Sequence, residues 1–390
     1  LENKRKIDLA IVTREPFPFG MAATNRILSY SKVISTDKNV KVYIAKATEN
    51  KANVQNKLKQ GRINNVLFEY ASNTTIWPFD SSKIFKIKKL ILGYWNLIKS
   101  LKNDKPKTII IYSSDFFLRI LILTCFLKSK IIIEENEYPK ILKKTNSKLI
   151  QKIYLSMYSR CSGVMVMTEE LLNYYKRLNP KEIFHLPMTV DIQRFTQDSL
   201  YQTKEDYFVY VGGNGGAVRD SITSMLKGFT TFSKKFPQYE FHIVGPIKQD
   251  DKILKESIKL LKGNGILHKV IFKGEVNSKN IPLILKKAVG ILMTPQRNFD
   301  SGGFPTKLGE FLASGVPVIT TNVSEISNFL NITNSYIIEP GNIDEISIKM
   351  EEIVLNPRNA NEIGLKGQEV AKKYFNAESY LKELKLFLEI

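Results

Sequence analysis

The strongest constraint on this chain is an alternation that runs through it twice. Short runs rich in Val, Ile and aromatic residues are followed by stretches whose apolar residues recur at helical spacing. That is the pattern of a parallel sheet covered by helices. In the first half IDLAIVT (7–13), VKVYIA (40–45), NVLFEY (65–70), TIIIYS (108–113), KIIIEE (130–135), GVMVMT (163–168) and EIFHLP (182–187) predict strands. Helices are expected between them, among others over Ala23–Ile34, Ile84–Leu101 and Lys148–Cys161. After Pro187 the polar passage TVDIQRFTQDSLYQTKED sustains no period and predicts a linker. The alternation then restarts with YFVYVGG (207–213), YEFHIVG (239–245), KVIFKG (269–274), VGILMTP (289–295), VPVITT (316–321) and SYIIEP (335–340). Helices over Asn361–Tyr374 and Glu378–Leu388 close the chain. The expectation is two doubly wound, Rossmann-like α/β domains, 1–195 and 196–375, with a C-terminal helix in 376–390 that can pack back on the first. In such folds ligands bind outside the carboxyl ends of the strands, so two facing sheets predict an interdomain cleft.

Charge separates the two halves. The net charge of +20 is carried almost wholly by residues 1–190, at +18, against +2 for residues 191–390. Both halves share a Lys/Ile/Asn-rich composition, so composition alone does not explain the excess. An anionic membrane surface or an acidic partner does, with solvated surface charge as the plainer reading. The passage 81–107 combines Lys83, Lys86, Lys88, Lys89 and Lys99 with Phe85, Ile87, Leu90, Ile91, Tyr94, Trp95 and Ile98. A basic amphipathic helix with aromatics is a membrane-surface signature, although the same apolar residues can equally form a core face. No recognisable nucleic-acid motif interleaves the basic residues, and no nucleic-acid partner is expected.

Cys125 and Cys161 have no partner spacing and read as two inert buried thiols of a reducing compartment. The amino terminus reads as a polar lead into a first strand and shows no signal-peptide cleavage pattern. The longest apolar run, Phe116–Leu127, carries Arg119 and falls short of the roughly 20 residues that span a bilayer. The expected location is cytoplasmic, peripheral at the inner face of the plasma membrane.

The segment SGGFPTKLGEFLASGVP (301–317) holds the densest chemistry. Gly302 and Gly303 let the backbone approach a ligand, and Pro305 suits a first helical position. A helix over Thr306–Ser314 is stopped by Gly315 and Pro317. A glycine-rich loop feeding a helix is an anion site, and Lys307 adds a cation near a bound phosphate. Glu310 can accept paired hydrogen bonds from ribose hydroxyls, or be a solvated residue of a helix whose Phe304, Leu308, Phe311 and Leu312 pack. In the first half, Gly20 lies at a strand-to-helix turn in REPFPFGMAATNRILSY and marks either an anion site or simple turn chemistry. Arg26 can reach an acceptor phosphate or make a surface salt bridge. EENEYP (134–139) gathers three carboxylates at a strand end, an uncommon arrangement for packing alone. The sequence has no Asp-x-Asp pair, no His/Cys cluster with metal spacing, no GxSxG elbow and no Walker-type GKS or GKT. No metal and no cofactor are therefore expected.

Residues 207–320 resemble the donor-binding domain of glycosyltransferase family 4, which has the GT-B fold. The resemblance rests on YVGG (210–213), FHIVG (241–245), VIFKGEV (270–276), Ala288–Pro295 and FPTKLGEFLASGVPVI (304–319), with weaker likeness in FPFGMAATNRILSY and TVDIQRF. It implies that Glu310, the second glutamate of the family's Glu-x7-Glu motif, holds the ribose. It further implies that the backbone at Gly303, Phe304, Pro305 and Thr306 faces the diphosphate, that Val276 contacts the base, and that the Gly20 loop closes on the diphosphate. Glu137 falls near a polar position beside the donor sugar. Two departures stand out: glycine replaces the first motif glutamate at 302, and glycine stands at 213 where the family's Arg/Lys pair begins. Arg219 is then the loop cation, with Lys307 compensating, in a subgroup of P-T-K-L form.

The resulting expectation is a retaining, metal-independent glycosyltransferase that moves a sugar from a nucleotide diphosphate sugar to a hydroxyl. Its acceptor would be lipid-linked or a saccharide, in bacterial surface polysaccharide or glycolipid assembly. Glu137, Arg219 and Lys307 are the expected catalytic residues. The rivals are an epimerase or hydrolase of the same architecture, and a non-catalytic nucleotide-binding module.

Overall fold

Each of the apolar runs named above contains a strand in the computed structural model of the protein, which describes residues 6–48, 56–78, 81–196, 203–213, 218–247, 249–250, 252–296 and 302–390. By its contacts the chain divides into two units. The first comprises Leu1–Thr189 with Ser301–Gly303 and Ala377–Ile390, the second Val190–Asp300 with Phe304–Asn376.

The sheet of the first unit contains β1 (Leu9–Thr13), β2 (Val40–Ile44), β3 (Gln60–Ile63), β4 (Val66–Tyr70), β5 (Thr108–Tyr112), β6 (Lys130–Glu135), β7 (Gly163–Val166) and β8 (Ile183–His185). Their order is β3-β4-β2-β1-β5-β6-β7-β8, parallel throughout except for the β3–β4 hairpin. The strand β3 was not anticipated. Its QGRI sequence has an exposed or half-buried face and no apolar alternation, and the hairpin closes through Asn64 and Asn65, both at positive φ (46° and 65°). Two adjacent asparagines in the left-handed region are the mark of the tight turn that matches strand twist.

Because successive strand residues point to opposite faces, β1 divides its side chains between two cores. Ala10 and Val12 join one core with Leu118, Tyr154 and Tyr158, while Leu9 and Ile11 join the other with Ile27, Tyr30 and Ile34. The C-terminal helix Leu381–Leu388 lies on this second face, where Phe387 stacks on Phe184 at 5.1 Å and the Leu388 carbonyl accepts from the Thr108 hydroxyl at 2.6 Å.

A buried ion pair sits on each face of β6. Arg26, on the helix Ala22–Ile34, places Nε 2.6 Å from Glu134 and donates to the carbonyls of Pro187 (2.7 Å) and Leu186 (2.9 Å). Tyr30 donates to the other Glu134 oxygen at 2.9 Å. Arg119, on the helix Phe116–Cys125, lies 2.6 Å from Glu135, which also accepts from Tyr158 at 2.5 Å. Two carboxylates of the acidic cluster are therefore packing elements with matched cations, and neither is open to a ligand.

The second sheet contains β9 (Tyr207–Val211), β10 (Glu240–Val244), β11 (Val270–Gly274), β12 (Gly290–Met293), β13 (Val318–Thr321) and β14 (Tyr336–Ile338). Its order is β11-β10-β9-β12-β13-β14 and every pair is parallel. The division of the chain falls at Thr189/Val190 and not at 195/196 as expected. Val190 bridges to Asn376 and donates to the Phe375 carbonyl at 2.8 Å, so the DIQRF turn is part of the second unit.

The helix over 84–101 runs longer than expected, Lys83–Asp104, with Ser82 capping the Phe85 amide. Its apolar residues divide between the core and the surface. Leu97 and Leu101 are buried, while Ile84, Ile87, Ile91 and Trp95 are 67%, 57%, 65% and 72% exposed. Among the described residues no helix is long and apolar enough to cross a membrane.

Cys161 is buried, and burial pushes its thiol up to about 12. Cys125, expected to be buried, is exposed at the end of its helix. A thiol reagent should therefore titrate one cysteine quickly in the native chain and the second only after denaturant is added. Loss of signal in Cys125→Ser but not Cys161→Ser identifies the fast one. Removing one partner of a buried pair strands the other's charge, at about 3–5 kcal/mol. Arg26→Met should lower the stability measured by urea unfolding by about that amount, and a change under about 1 kcal/mol would contradict the pair's role.

Candidate functional site

In the second unit the strand order reverses direction between β9 and β12, the position where open α/β sheets bind ligands beyond the strands' carboxyl ends. The chain concentrates charge there. Tyr210, next to last in β9, donates its hydroxyl to Asp220 at 2.9 Å. Lys307 lies 2.8 Å from the same carboxylate oxygen and 3.3 Å from the tyrosine oxygen. Asp220 is 3% exposed, and its carbonyl accepts from the Thr294 hydroxyl at 2.9 Å, which ties the Arg219–Asp220 turn to the end of β12. Gln296 extends the tie, donating its amide to the Arg219 carbonyl at 3.1 Å. There is room for this cluster because residue 212 is glycine: a Cβ would stand 2.2 Å from the Tyr210 hydroxyl and 2.6 Å from Lys307 Nζ.

Burial pushes the Lys307 ammonium below its ordinary value, and Asp220 opposes that shift. The expectation of Lys307 as a separate cation for phosphate needs correction on this point. Its charge is already matched by a buried carboxylate, since an unpaired buried ammonium would be costly. Arg219, next in sequence to Asp220, is exposed.

The helix expected over Thr306–Ser314 spans Lys307–Ala313, and Gly315 at φ +74° ends it. Leu308, Phe311 and Leu312 are buried, and Phe304 packs its ring against Phe329 and Phe375. Glu310 is not a solvated helix residue. Its side chain is 15% exposed and its Oε1 lies 2.7 Å from Arg194 Nη1. Arg194 also donates through Nη2 to the Ser278 carbonyl at 2.9 Å. Ser278 opens the turn that follows Val276, so the guanidinium joins that turn to the helix. Gly213 and Val276 are half-buried at the carboxyl ends of β9 and β11, as are Pro305 and Thr306 before the helix, while Gly303 is buried. Ser301 and the loop 214–217, which bear on the Ser-Gly-Gly start and on the loop ahead of Arg219, lie outside the described residues.

Gly302 belongs by its contacts to the first unit, where its carbonyl accepts from the Thr168 hydroxyl at 2.6 Å. It holds φ +67°, and a Cβ there would stand 2.7 Å from Leu171 and 3.0 Å from Tyr138. Any side chain at 302 meets both strain and collision, which gives the glycine in place of a glutamate a local physical reason.

The remaining first-unit residues fare differently. The loop after β1 is held from three sides. Tyr70 accepts from the Phe17 amide (3.1 Å) and donates to its carbonyl (2.9 Å), Asn56 bonds both backbone groups of Phe19, and Thr24 donates to the Pro16 carbonyl. Gly20 lies in this loop against Thr24. Arg26 is corrected: at 1% exposure with its donors on Glu134, Leu186 and Pro187, it cannot contact an acceptor. Glu137 is the one carboxylate of EENEYP with an accessible side chain, 32% exposed and ion-paired with Lys140. Arg194 and Asp220 were not singled out from the sequence. The signal for Arg194 was present in TVDIQRF, where Ile192 and Phe195 are anchors for an arginine held between them.

Comparison with known proteins places this geometry. Residues 191–370 match the family model described as glycosyl transferases group 1. No curated protein matches the chain significantly by sequence. Solved structures share its fold. HepE from Anabaena, in complex with UDP, superposes with a TM-score of 0.71 at 12% identity, covering 98% of this chain and 100% of that one. Sucrose-phosphate synthase from Thermosynechococcus elongatus gives 0.69 at 12% identity, covering 98% of each chain. The lipopolysaccharide outer core galactosyltransferase WaaB in its apo form gives 0.61 at 13%, covering 98% of this chain and 100% of that one. At such identities the likeness carries the fold alone. With the family model over its second unit and two parallel-sheet domains of GT-B type, the chain is a glycosyltransferase.

Proposed function

We propose that the chain is a retaining, metal-independent glycosyltransferase acting from a nucleotide diphosphate sugar on a hydroxyl of a lipid-linked or saccharide acceptor. The observation that carries the donor reading is the charge cluster at the β9/β12 switch point inside the segment matched by the family model. Glu310 holds the ribose hydroxyls, the turn at Val276 meets the base, and the backbone of Gly303, Phe304, Pro305 and Thr306 with Gly213 meets the diphosphate. Arg219 supplies the exposed cation there. Lys307 acts through Asp220 and Tyr210, fixing the turn that presents Arg219. Metal independence is supported by the lack of an Asp-x-Asp pair in the sequence.

In this reading the bond from the anomeric carbon to the diphosphate oxygen breaks as the acceptor oxygen bonds to the same face. The acceptor proton passes to a diphosphate oxygen, and preorganised donors stabilise the leaving charge. Glu137 and the Gly20 loop remain proposals for sugar and diphosphate contacts, resting on the resemblance. UDP is the first donor nucleotide to test, because HepE was solved with it.

Membrane contact belongs to the same proposal. Lys83, Lys86, Lys88 and Lys89 flank the exposed Ile84, Ile87 and Ile91 on the helix Lys83–Asp104, a combination that suits an anionic headgroup layer and a lipid-borne acceptor. A cytoplasmic position at the inner face of the membrane, in surface polysaccharide or glycolipid assembly, follows from this reading.

Calorimetry should show that Glu310→Ala weakens nucleotide binding by roughly tenfold or more, the loss of a charge-assisted pair of hydrogen bonds. Unchanged affinity would remove the ribose assignment. Vesicles of mixed phosphatidylglycerol and phosphatidylcholine should sediment the protein at low salt and release it at high salt, whereas Trp95→Ser with Ile91→Ser should not sediment. No sedimentation of the wild-type chain at low salt would end the membrane reading.

A further inference from the structure

We infer that the first unit docks on an anionic bilayer by one edge, the rim at the carboxyl ends of its strands, through the opening turns of three helices at once. The inference rests on the membrane reading above, which used one helix, and adds to it the face that is turned to the lipid. The topology does the gathering. The helices Lys83–Asp104, Phe116–Cys125 and Lys148–Arg160 each lie in a crossover between parallel strands. Each therefore begins at the carboxyl end of the sheet and runs back toward its amino end. All three cover the same face of the sheet, through Leu97 and Leu101, Leu118 and Ile122, and Tyr154 and Met157. Phe116–Cys125 packs against both of the others, so the three helix starts are neighbours on one rim.

Each of those starts carries uncovered apolar residues. The helix Lys83–Asp104 has no buried residue before Gly93, so its opening stretch of about 15 Å lies outside the packed core, with Ile84, Ile87 and Ile91 exposed on it. Phe117, in the first turn of the next helix, is 71% exposed. The one charged residue of that helix, Arg119, is buried, so its outward side carries no solvated charge. Leu149 and Ile153, one turn apart at the start of Lys148–Arg160, are 67% and 36% exposed. Single apolar residues scattered over a surface need no explanation, but a group of them on adjoining helix starts forms a patch. Exposed lysines flank it, Lys83 and Lys88 on one side and Lys148 and Lys152 on the other. A second copy of the chain would bring the same lysines against these. A bilayer of anionic lipid instead offers acyl chains to the apolar residues and phosphates to the lysines. In that pose the switch point between β1 and β5, where this sheet has its own crevice, faces the headgroup layer. The hydroxyl of a lipid-linked acceptor lies at the same level, which favours that class of acceptor over a free saccharide.

The test reads which residues enter the lipid. Phe117→Trp, Leu149→Trp and Leu127→Trp are made singly in a Trp95→Phe chain, where the remaining Trp77 is buried. Leu127, 83% exposed just past the far end of the helix Phe116–Cys125, is the contrast position. The vesicles are of phosphatidylglycerol and phosphatidylcholine, the latter with or without brominated acyl chains, and bromine quenches only indoles that reach the chains. Phe117→Trp and Leu149→Trp should lose about half of the added emission on brominated vesicles, as expected of side chains held at the headgroup–acyl boundary, and Leu127→Trp none. The double variant Phe117→Ser with Leu149→Ser should bind vesicles at least roughly tenfold more weakly, the loss of two buried apolar side chains. If that pair does not fold, the tryptophan variants carry the test. A wild-type chain that does not sediment with vesicles at low salt removes the membrane reading and this inference together. A wild-type chain that sediments, while Phe117→Trp and Leu149→Trp are quenched no more than Leu127→Trp, overturns the docked rim and leaves the one-helix contact standing. Light scattering that finds a lipid-free dimer in the wild type and a monomer in the double serine variant would give the patch to a second copy and overturn the inference as well.

Discussion

A carboxylate at the end of a parallel strand loses most of its water to the covering helices, and it stays charged there only if a cation is delivered to it. The chain meets that requirement repeatedly, and its fold is pinned at those places. In the first unit Glu134 and Glu135 are consecutive in β6 and point to opposite faces, so each needs its own arginine from its own helix layer. Arg26 comes from the helix after β1 and Arg119 from the helix after β5. Together they bolt both layers to one strand.

The same rule shapes the second unit, with a different outcome. Asp220 is matched by Lys307 and Tyr210 where the strand order reverses between β9 and β12, and Glu310 is matched by Arg194, which also holds the turn after β11. The Asp220 cluster is nearly closed to solvent and fixes backbone. The Glu310 pair keeps part of its surface open. Ion pairing thus builds a closed fastening at Asp220, with 4% of its side chain exposed, and a more open pair at Glu310, with 15% exposed.

Much of the fold was legible because its signals are local. The runs of Val and Ile that mark the strands of a parallel sheet, and the spacing of apolar residues on helices, do not depend on distant partners. The strand Gln60–Ile63 escaped because an edge strand with polar and glycine residues has no such signature, and only the Asn64–Asn65 turn announced it. Cys125 was misjudged because a thiol near the end of an apolar run can face outward when its helix stops there.

The site was legible in its residue types and opaque in its pairings. From FPTKLGEF the sequence determined that a glycine-preceded helix would carry a lysine and a glutamate one turn apart, and that Gly315 would stop it. Only the tertiary structure decided that Lys307 belongs to Asp220, that Glu310 belongs to Arg194, and that Arg26 is buried. The physical reason is range. Helix and strand formation are governed by neighbours a few residues apart, whereas a buried charge is paired with whatever cation the folded backbone brings within hydrogen-bonding distance, here 116 positions away in sequence for Arg194 and Glu310.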